Sequence, residues 1–156
     1  MKRGHIVLGA ACAAVLAMGG VAPSASASTV HASGTEHILI LQSSADGPQV
    51  VIANGPLHAR GQDVTVTNNR DRFVFARGDL KIWHHAQTSH NSYDPKTCLA
   101  RFSETGIYRV LGGTGAYAGA AGQGTYSLHG LSVGCSQNKP PSLFELKISA
   151  SGPLSY

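Results

Sequence analysis

Between Gly112 and Gly124 the chain places six glycines in thirteen residues, in the order Gly112-Gly113-Thr114-Gly115-Ala116-Tyr117-Ala118-Gly119-Ala120-Ala121-Gly122-Gln123-Gly124. A helix does not hold such a run, because each interior glycine costs about 1 kcal/mol relative to alanine. Glycine at this density serves backbone geometry instead: positive φ at turns, or close approach of two chain segments. Its flanks have strand composition, with Ile107-Tyr108-Arg109-Val110-Leu111 before it and Thr125-Tyr126-Ser127-Leu128 after it. The feature speaks to fold more directly than to chemistry.

The rest of the chain alternates short apolar runs with turn residues. The expected strands are Glu36–Gln42, Gln49–Asn54, Asp63–Thr67, Arg72–Phe75, Asp79–His84, Thr97–Ser103, Gly106–Leu111, Thr125–Ser132 and Leu143–Ser149. Turn signals separate them at Asp46-Gly47-Pro48, Asn68-Asn69, Arg77-Gly78, Asp94-Pro95 and Pro140-Pro141. After residue 28 no stretch of ten keeps a helical apolar stripe, so the pattern predicts an all-β sandwich or barrel. Period-two sidedness is clearest near the end, where Phe144, Leu146, Ile148 and Ala150 share one face. Leu80, Ile82 and His84 also share a face, opposite Lys81, Trp83 and His85. Val50, Ile52 and Asn54 form a third set. If these apolar faces line an interior, His84 and Asn54 reach its mouth, where a small barrel can hold one ligand.

The N-terminus has the layout of a secretory signal peptide: Met1-Lys2-Arg3, an apolar stretch from Ile6 to Val21, then Ala25-Ser26-Ala27. Cleavage between Ala27 and Ser28 is expected, giving signal 1–27, a disordered leader 28–35 and one barrel domain 36–156. As a retained anchor, the apolar stretch is marginal, being interrupted by Gly9, Gly19 and Gly20. Cys12 lacks the leucine three positions earlier that lipid attachment expects. Cleavage would remove Lys2 and Arg3, halving the formal charge of +4. The expectation is a secreted protein with no stable membrane insertion. Arg60, Arg70, Arg72 and Arg77 alternate with Asp63, Asp71 and Asp79, which reads as a solvated strand face. Aromatics make up 6% of the chain, too few for a base-stacking platform, so no nucleic-acid partner is expected. Cys98 and Cys135 would remain after cleavage; an even count in an exported chain predicts one disulfide, with a redox or metal pair as the alternative.

Candidate chemistry is sparse. Within Trp83-His84-His85-Ala86-Gln87-Thr88-Ser89-His90, three histidines suit a transition metal by ligand type, with Asp94 as a possible fourth. Adjacent strand residues face opposite ways, so His84 and His85 do not share an ion without a bend. The preferred reading is a polar surface loop, with His84 as a single polar group at a pocket mouth as the other reading; no metal site is assigned. His58 and His129 are isolated and read as hydrogen-bonded or exposed. Arg109 shares a face with Ile107 and Leu111: if internal, it needs a carboxylate such as Glu104 or a ligand anion; if external, it is solvated. The chain has no G-x-S-x-G elbow, phosphate-binding loop, H-E-x-x-H or dinucleotide fingerprint, and no cofactor is expected.

The strand, the G-G-T-G-x-Y-x-G-A-x-G run and the following strand resemble the allene oxide cyclase barrel-like family and its dirigent relatives. The resemblance is most specific over Glu104 to Leu128. It extends more loosely over Asn54 to Phe102, through Asp71-Arg72-Phe73-Val74-Phe75 and Gly78-Asp79-Leu80-Lys81-Ile82. It implies a small antiparallel, calycin-like β-barrel and makes a homo-oligomer an expectation. Those families orient reactive molecules by cavity shape without a cofactor, but none of their catalytic residues maps onto this chain, and fold does not transfer function. Three functions are therefore expected in this order: a barrel binding a small apolar or amphipathic molecule through Asn54, His84 and Arg109; an envelope or extracellular protein-interaction module with a filled interior; and a cofactor-free cyclase or isomerase. The last requires a titratable group inside the barrel.

Overall fold

The computed structural model describes residues 32–156, apart from Gln137. The expected signal peptide and its Ala27/Ser28 junction lie outside the described residues. Eight strands form a closed barrel, each antiparallel to its neighbours in chain order, with β8 closing on β1. They are β1 (Ser33–Gln42), β2 (Gln49–Asn54), β3 (His58–Thr67), β4 (Arg70–Phe75), β5 (Gly78–Asp94), β6 (Leu99–Gly113), β7 (Ala121–Val133) and β8 (Leu143–Ser155). An even strand number lets an antiparallel meander close without an edge. Among the described residues no helix is long and apolar enough to cross a membrane.

Alternation sets the interior. Ile38, Ile40, Val51, Phe73, Phe75, Leu80, Ile82, Tyr108, Val110 and Leu154 form one buried cluster, and their partners on the same strands face out. The strand glycines have a packing role. Gly61, Gly106, Gly124 and Gly130 lie directly across the ladder from Phe75, Tyr126, Tyr108 and Phe102. Each aromatic ring lies over its cross-strand glycine: a Cβ on Gly106 would stand 2.6 Å from the Tyr126 ring, and one on Gly124 2.7 Å from that of Tyr108. Three of these rings, Phe75, Tyr108 and Tyr126, thereby fit inside a narrow barrel, while Phe102 is only half-buried.

The two ends differ. At one, the glycine run folds back as a single 3₁₀ turn, Gly115–Tyr117. Gly115 has φ +58° and packs against the Arg77 carbonyl, which a side chain would displace. Ala116 N donates to Arg77 O at 2.8 Å and Thr114 N to Asp79 O at 2.9 Å, tying the run to the β4–β5 hairpin. This drives Tyr117 into the barrel end, where its ring packs edge-on against Phe75 at 5.8 Å and Tyr156 at 5.3 Å. At the other end the strands are unequal. β4 pairs with β5 only as far as Trp83, while β6 pairs with β5 out to Asp94. β7 and β8 pair out to Val133 and Leu143, beyond the last β1 partner at Leu146. Strands β5–β8 therefore project past β1–β4 as a one-sided extension. Cys98 and Cys135 form a disulfide on it, joining the start of β6 to the loop after β7, with Gly134 N donating to Cys98 O at 2.9 Å.

Several sequence expectations change. The histidine segment is not a surface loop: it is the middle of β5, held by the ladder to β6 and interrupted by a bulge between Ala86 and Thr88. Being polar on both faces beyond the barrel wall, it carries no alternation to mark it as strand. The strands expected at Thr97–Ser103 and Gly106–Leu111 are one, β6, so there are eight rather than nine. β3 begins at His58, not Asp63, and β1 at Ser33, three residues inside the expected leader, where Ser33–Thr35 pair with Pro153–Ser155. In β2 the inner face is Val51 and Ala53, and Val50, Ile52 and Asn54 point outward.

Candidate ligand-binding site

The open end contains an internal cavity of about 80 Å³ with two unlike walls. One wall comes from β1 and β8 and is apolar: Ile38, Ile40, Ile148 and Ala150. The facing wall, from β4 to β7, sets Asp71, His84, Glu104 and Tyr126 among Phe73, Ile82, Tyr108 and Leu128. The polar wall follows from local alternation. Asp71 shares the inner face of β4 with Phe73 and Phe75, His84 follows Leu80 and Ile82 on β5, and Tyr126 lies over Gly106.

The polar groups are paired before any ligand arrives. His84 Nε2 donates to Asp71 Oδ2 at 3.1 Å, and the Tyr126 hydroxyl donates to Glu104 Oε1. The His84 and Tyr126 rings meet edge-on at 6.1 Å. Next to them, on the inner face of β3 opposite Phe73, Asp63 is only 9% exposed, and its Oδ1 has no hydrogen-bond partner among the described residues. Burial first, and the nearby Asp71 second, push the Asp63 carboxyl up to about 7, against the pull of His84. His84 is raised above the ordinary imidazole value, chiefly by its bond to Asp71, which outweighs desolvation. Burial and the Glu104 bond lift Tyr126 well above the ordinary phenol range, keeping it a neutral donor. The cavity wall thus holds an imidazole raised above its ordinary value beside a phenol kept neutral, with the raised carboxyl of Asp63 nearby but outside the lining.

The cavity has an outlet. Glu104 and Leu128 also line a groove of about 620 Å³ on the β5–β6 part of the extension, with Ser89, Asn91, Tyr93 and Phe102. Glu104 therefore stands where the cavity meets the surface groove.

Of the ligand-binding candidates Asn54, His84 and Arg109, only His84 lines this cavity. Asn54 is on the outer face, its Oδ1 3.3 Å from His58 Nδ1. The apolar run Val50-Val51-Ile52-Ala53 has no polar alternation from which to tell the two faces apart. Arg109 is external and exposed, its guanidinium 5.9 Å from the Trp83 ring centroid. His85, on the opposite face from His84, stacks on Trp83 at 6.0 Å. His58, His90 and His129 are exposed, and among the described residues no three His, Cys, Asp or Glu side chains are grouped to hold a metal ion. Glu104 belongs to Tyr126, not Arg109. Tyr126 was not singled out from sequence, and Asp63 and Asp71, expected on a solvated strand face with the arginines, instead face inward, Asp63 buried and Asp71 in the cavity wall. The alternation Asp71, Phe73, Phe75 was a readable signal for Asp71; Asp63 has no apolar neighbours at i±2 and leaves none.

Comparison with protein-family models, with curated proteins and with solved structures returns no match to this chain.

Proposed function

We propose that the protein is an exported barrel that binds a small apolar or amphipathic molecule inside its open end. The observation that carries this reading is the two-walled cavity: an apolar wall facing preorganised polar groups, continuous with a groove on the extension. Ligand sites commonly combine an apolar lining with a few convergent polar groups. The cavity takes only a short segment, so a larger ligand would lie with one end inside and the remainder along the groove. The disulfide and the signal-like N-terminus support export. The test is native mass spectrometry of protein purified from culture supernatant, before and after organic extraction. A bound small molecule lost on extraction is the expected result; bare protein at both stages, with no ligand recovered in the extract, counts against it.

A second reading, a cofactor-free isomerase or cyclase, draws support from the acid–base groups in the cavity. Such chemistry needs a titratable group inside the barrel, and His84 with Asp71 supplies one. The resemblance of Glu104 to Leu128 to allene oxide cyclase-like barrels points the same way. Conversion of an extracted ligand on incubation with fresh protein, abolished in His84→Gln, would favour this reading over simple carriage.

A further inference from the structure

We propose that a second copy of this chain pairs with the free side of β5, antiparallel along residues 88–94, about a two-fold axis at Asn91.

The closed barrel has no edge, but its extension does. β4 follows β5 only to Trp83, and the last backbone bond on that side is His84 N donating to Asn69 O at 3.1 Å. β6 continues along the other side to Asp94. From 85 to 94, β5 is exposed throughout and, among the described residues, has one paired side and one open side. Ladder alternation turns every second N–H and C=O toward that open side. His84 shows which ones: its side chain lines the interior while its N–H points to the β4 side. Ser89, Asn91 and Tyr93 lie opposite Glu104, Phe102 and Ala100 and share that inner face. Their backbone groups are therefore the ones presented outward.

Exposed edges are commonly defended by lysine, proline or a bulge. Here His85-Ala86-Gln87-Thr88-Ser89-His90-Asn91-Ser92-Tyr93 contains no Lys, Arg, Asp, Glu or Pro. The bulge between Ala86 and Thr88 lies before the segment, and pairing from Thr88 to Asp94 is regular. The edge is a template for another strand, and the strand that fits it is its own copy. The other unpaired stretch of the extension, on β8 beyond Leu146, spans only 143–145 and is too short to match it. With Asn91 set opposite Asn91 of the copy, Ser89 meets Tyr93, His90 meets Ser92 and Thr88 meets Asp94, so no like charges face each other. The outward groups at 89, 91 and 93 then form three reciprocal pairs, and Tyr93, 56% exposed, gains a neighbour. The same surface serves both copies, so the assembly closes at two and leaves no growing end.

The test is size-exclusion chromatography with light scattering on the full mature protein over a concentration series, together with Asn91→Lys, Asn91→Asp and Asn91→Pro. The parent is expected to be a dimer. Lysine or aspartate sets like charges against each other on the axis, and proline removes an outward N–H while sparing the ladder to β6. Each should weaken dimerisation by about tenfold or more. Mixing Asn91→Lys with Asn91→Asp should restore the dimer as a heterodimer. A parent that stays monomeric at every concentration overturns self-pairing and leaves the edge to a foreign strand. A dimer indifferent to all three variants, each checked for an unaltered melting profile, uses another surface and also overturns it. Variants that separate but do not recover on mixing overturn the two-fold pairing at Asn91.

Discussion

The two ends of the barrel solve the same problem differently. Each buries a carboxyl group. At the closed end Glu36 is 1% exposed, and its Oε2 accepts the Leu57 backbone N–H at 2.8 Å, fastening the β2–β3 turn to β1. Around it Leu57, Tyr117, Phe75 and Leu154 fill the space, and the Tyr156 hydroxyl donates to Pro56 O at 2.8 Å. There the acid is structural. At the open end the polar side chains are bonded mainly to one another, and the barrel leaves a cavity beside them. The contrast teaches that a buried acid marks a site only when space accompanies it.

Substitutions should separate the two ends. The largest effect belongs to the plug. Tyr117→Ala removes the ring that closes the barrel and should cost about 3–5 kcal/mol by denaturant unfolding, as for other buried aromatics. A loss below about 1 kcal/mol would mean that this end is not packed. Next is the disulfide: the double variant Cys98→Ser/Cys135→Ser should lose about 2–4 kcal/mol. Hydrogen exchange should rise most in the β5–β6 extension and least in β1 and β2, where no described contact depends on the bond.

The third prediction is a pH dependence. Asp63 has a folded-state pKa of about 7 against an ordinary 3.8, so the folded state holds its proton more tightly than the unfolded one. Its contribution is fully present below pH 3.8 and is lost as the pH rises toward 7. Asp63→Asn escapes that loss. The variant should match the parent near pH 3 and melt higher at pH 8, by an amount with a ceiling on the order of 4 kcal/mol. An identical difference in melting temperature at both pH values would contradict the assignment. The smallest stability effect belongs to His84→Gln, which keeps a donor beside Asp71. It should shift stability by about 1 kcal/mol or less while weakening ligand affinity about tenfold.

Much of the barrel was legible in the sequence. Strand β8 could be read because Phe144, Leu146, Ile148 and Ala150 alternate with polar residues, and β5 was readable as far as His84 for the same reason. The glycine run announced a turn between strands, though not that it carries Tyr117 into the barrel as a plug. What failed did so for physical reasons. An apolar residue at every position of Val50–Ala53 hides which side faces in. A strand extended beyond the core, such as Ser89–Asp94, has no buried face to print a period on the sequence. The cavity depends on register, which sets Asp71 of β4 opposite Ile82, two residues from His84 of β5, and Tyr126 of β7 opposite Gly106, two residues from His84's partner Tyr108; three distant segments disclose that only once the ladders are known.

The central claim is that the interior is accessible at one end and packed at the other. Carbon-13 methyl NMR under xenon pressure tests it most directly, because xenon enters apolar cavities without regard to charge. The account predicts shifts at the Ile38, Ile82 and Ile148 methyls that line the cavity, and none at Leu57 or Leu154. Shifts at Leu57 and Leu154, or shifts confined to the exposed Leu41, Leu111 and Leu143, would contradict it.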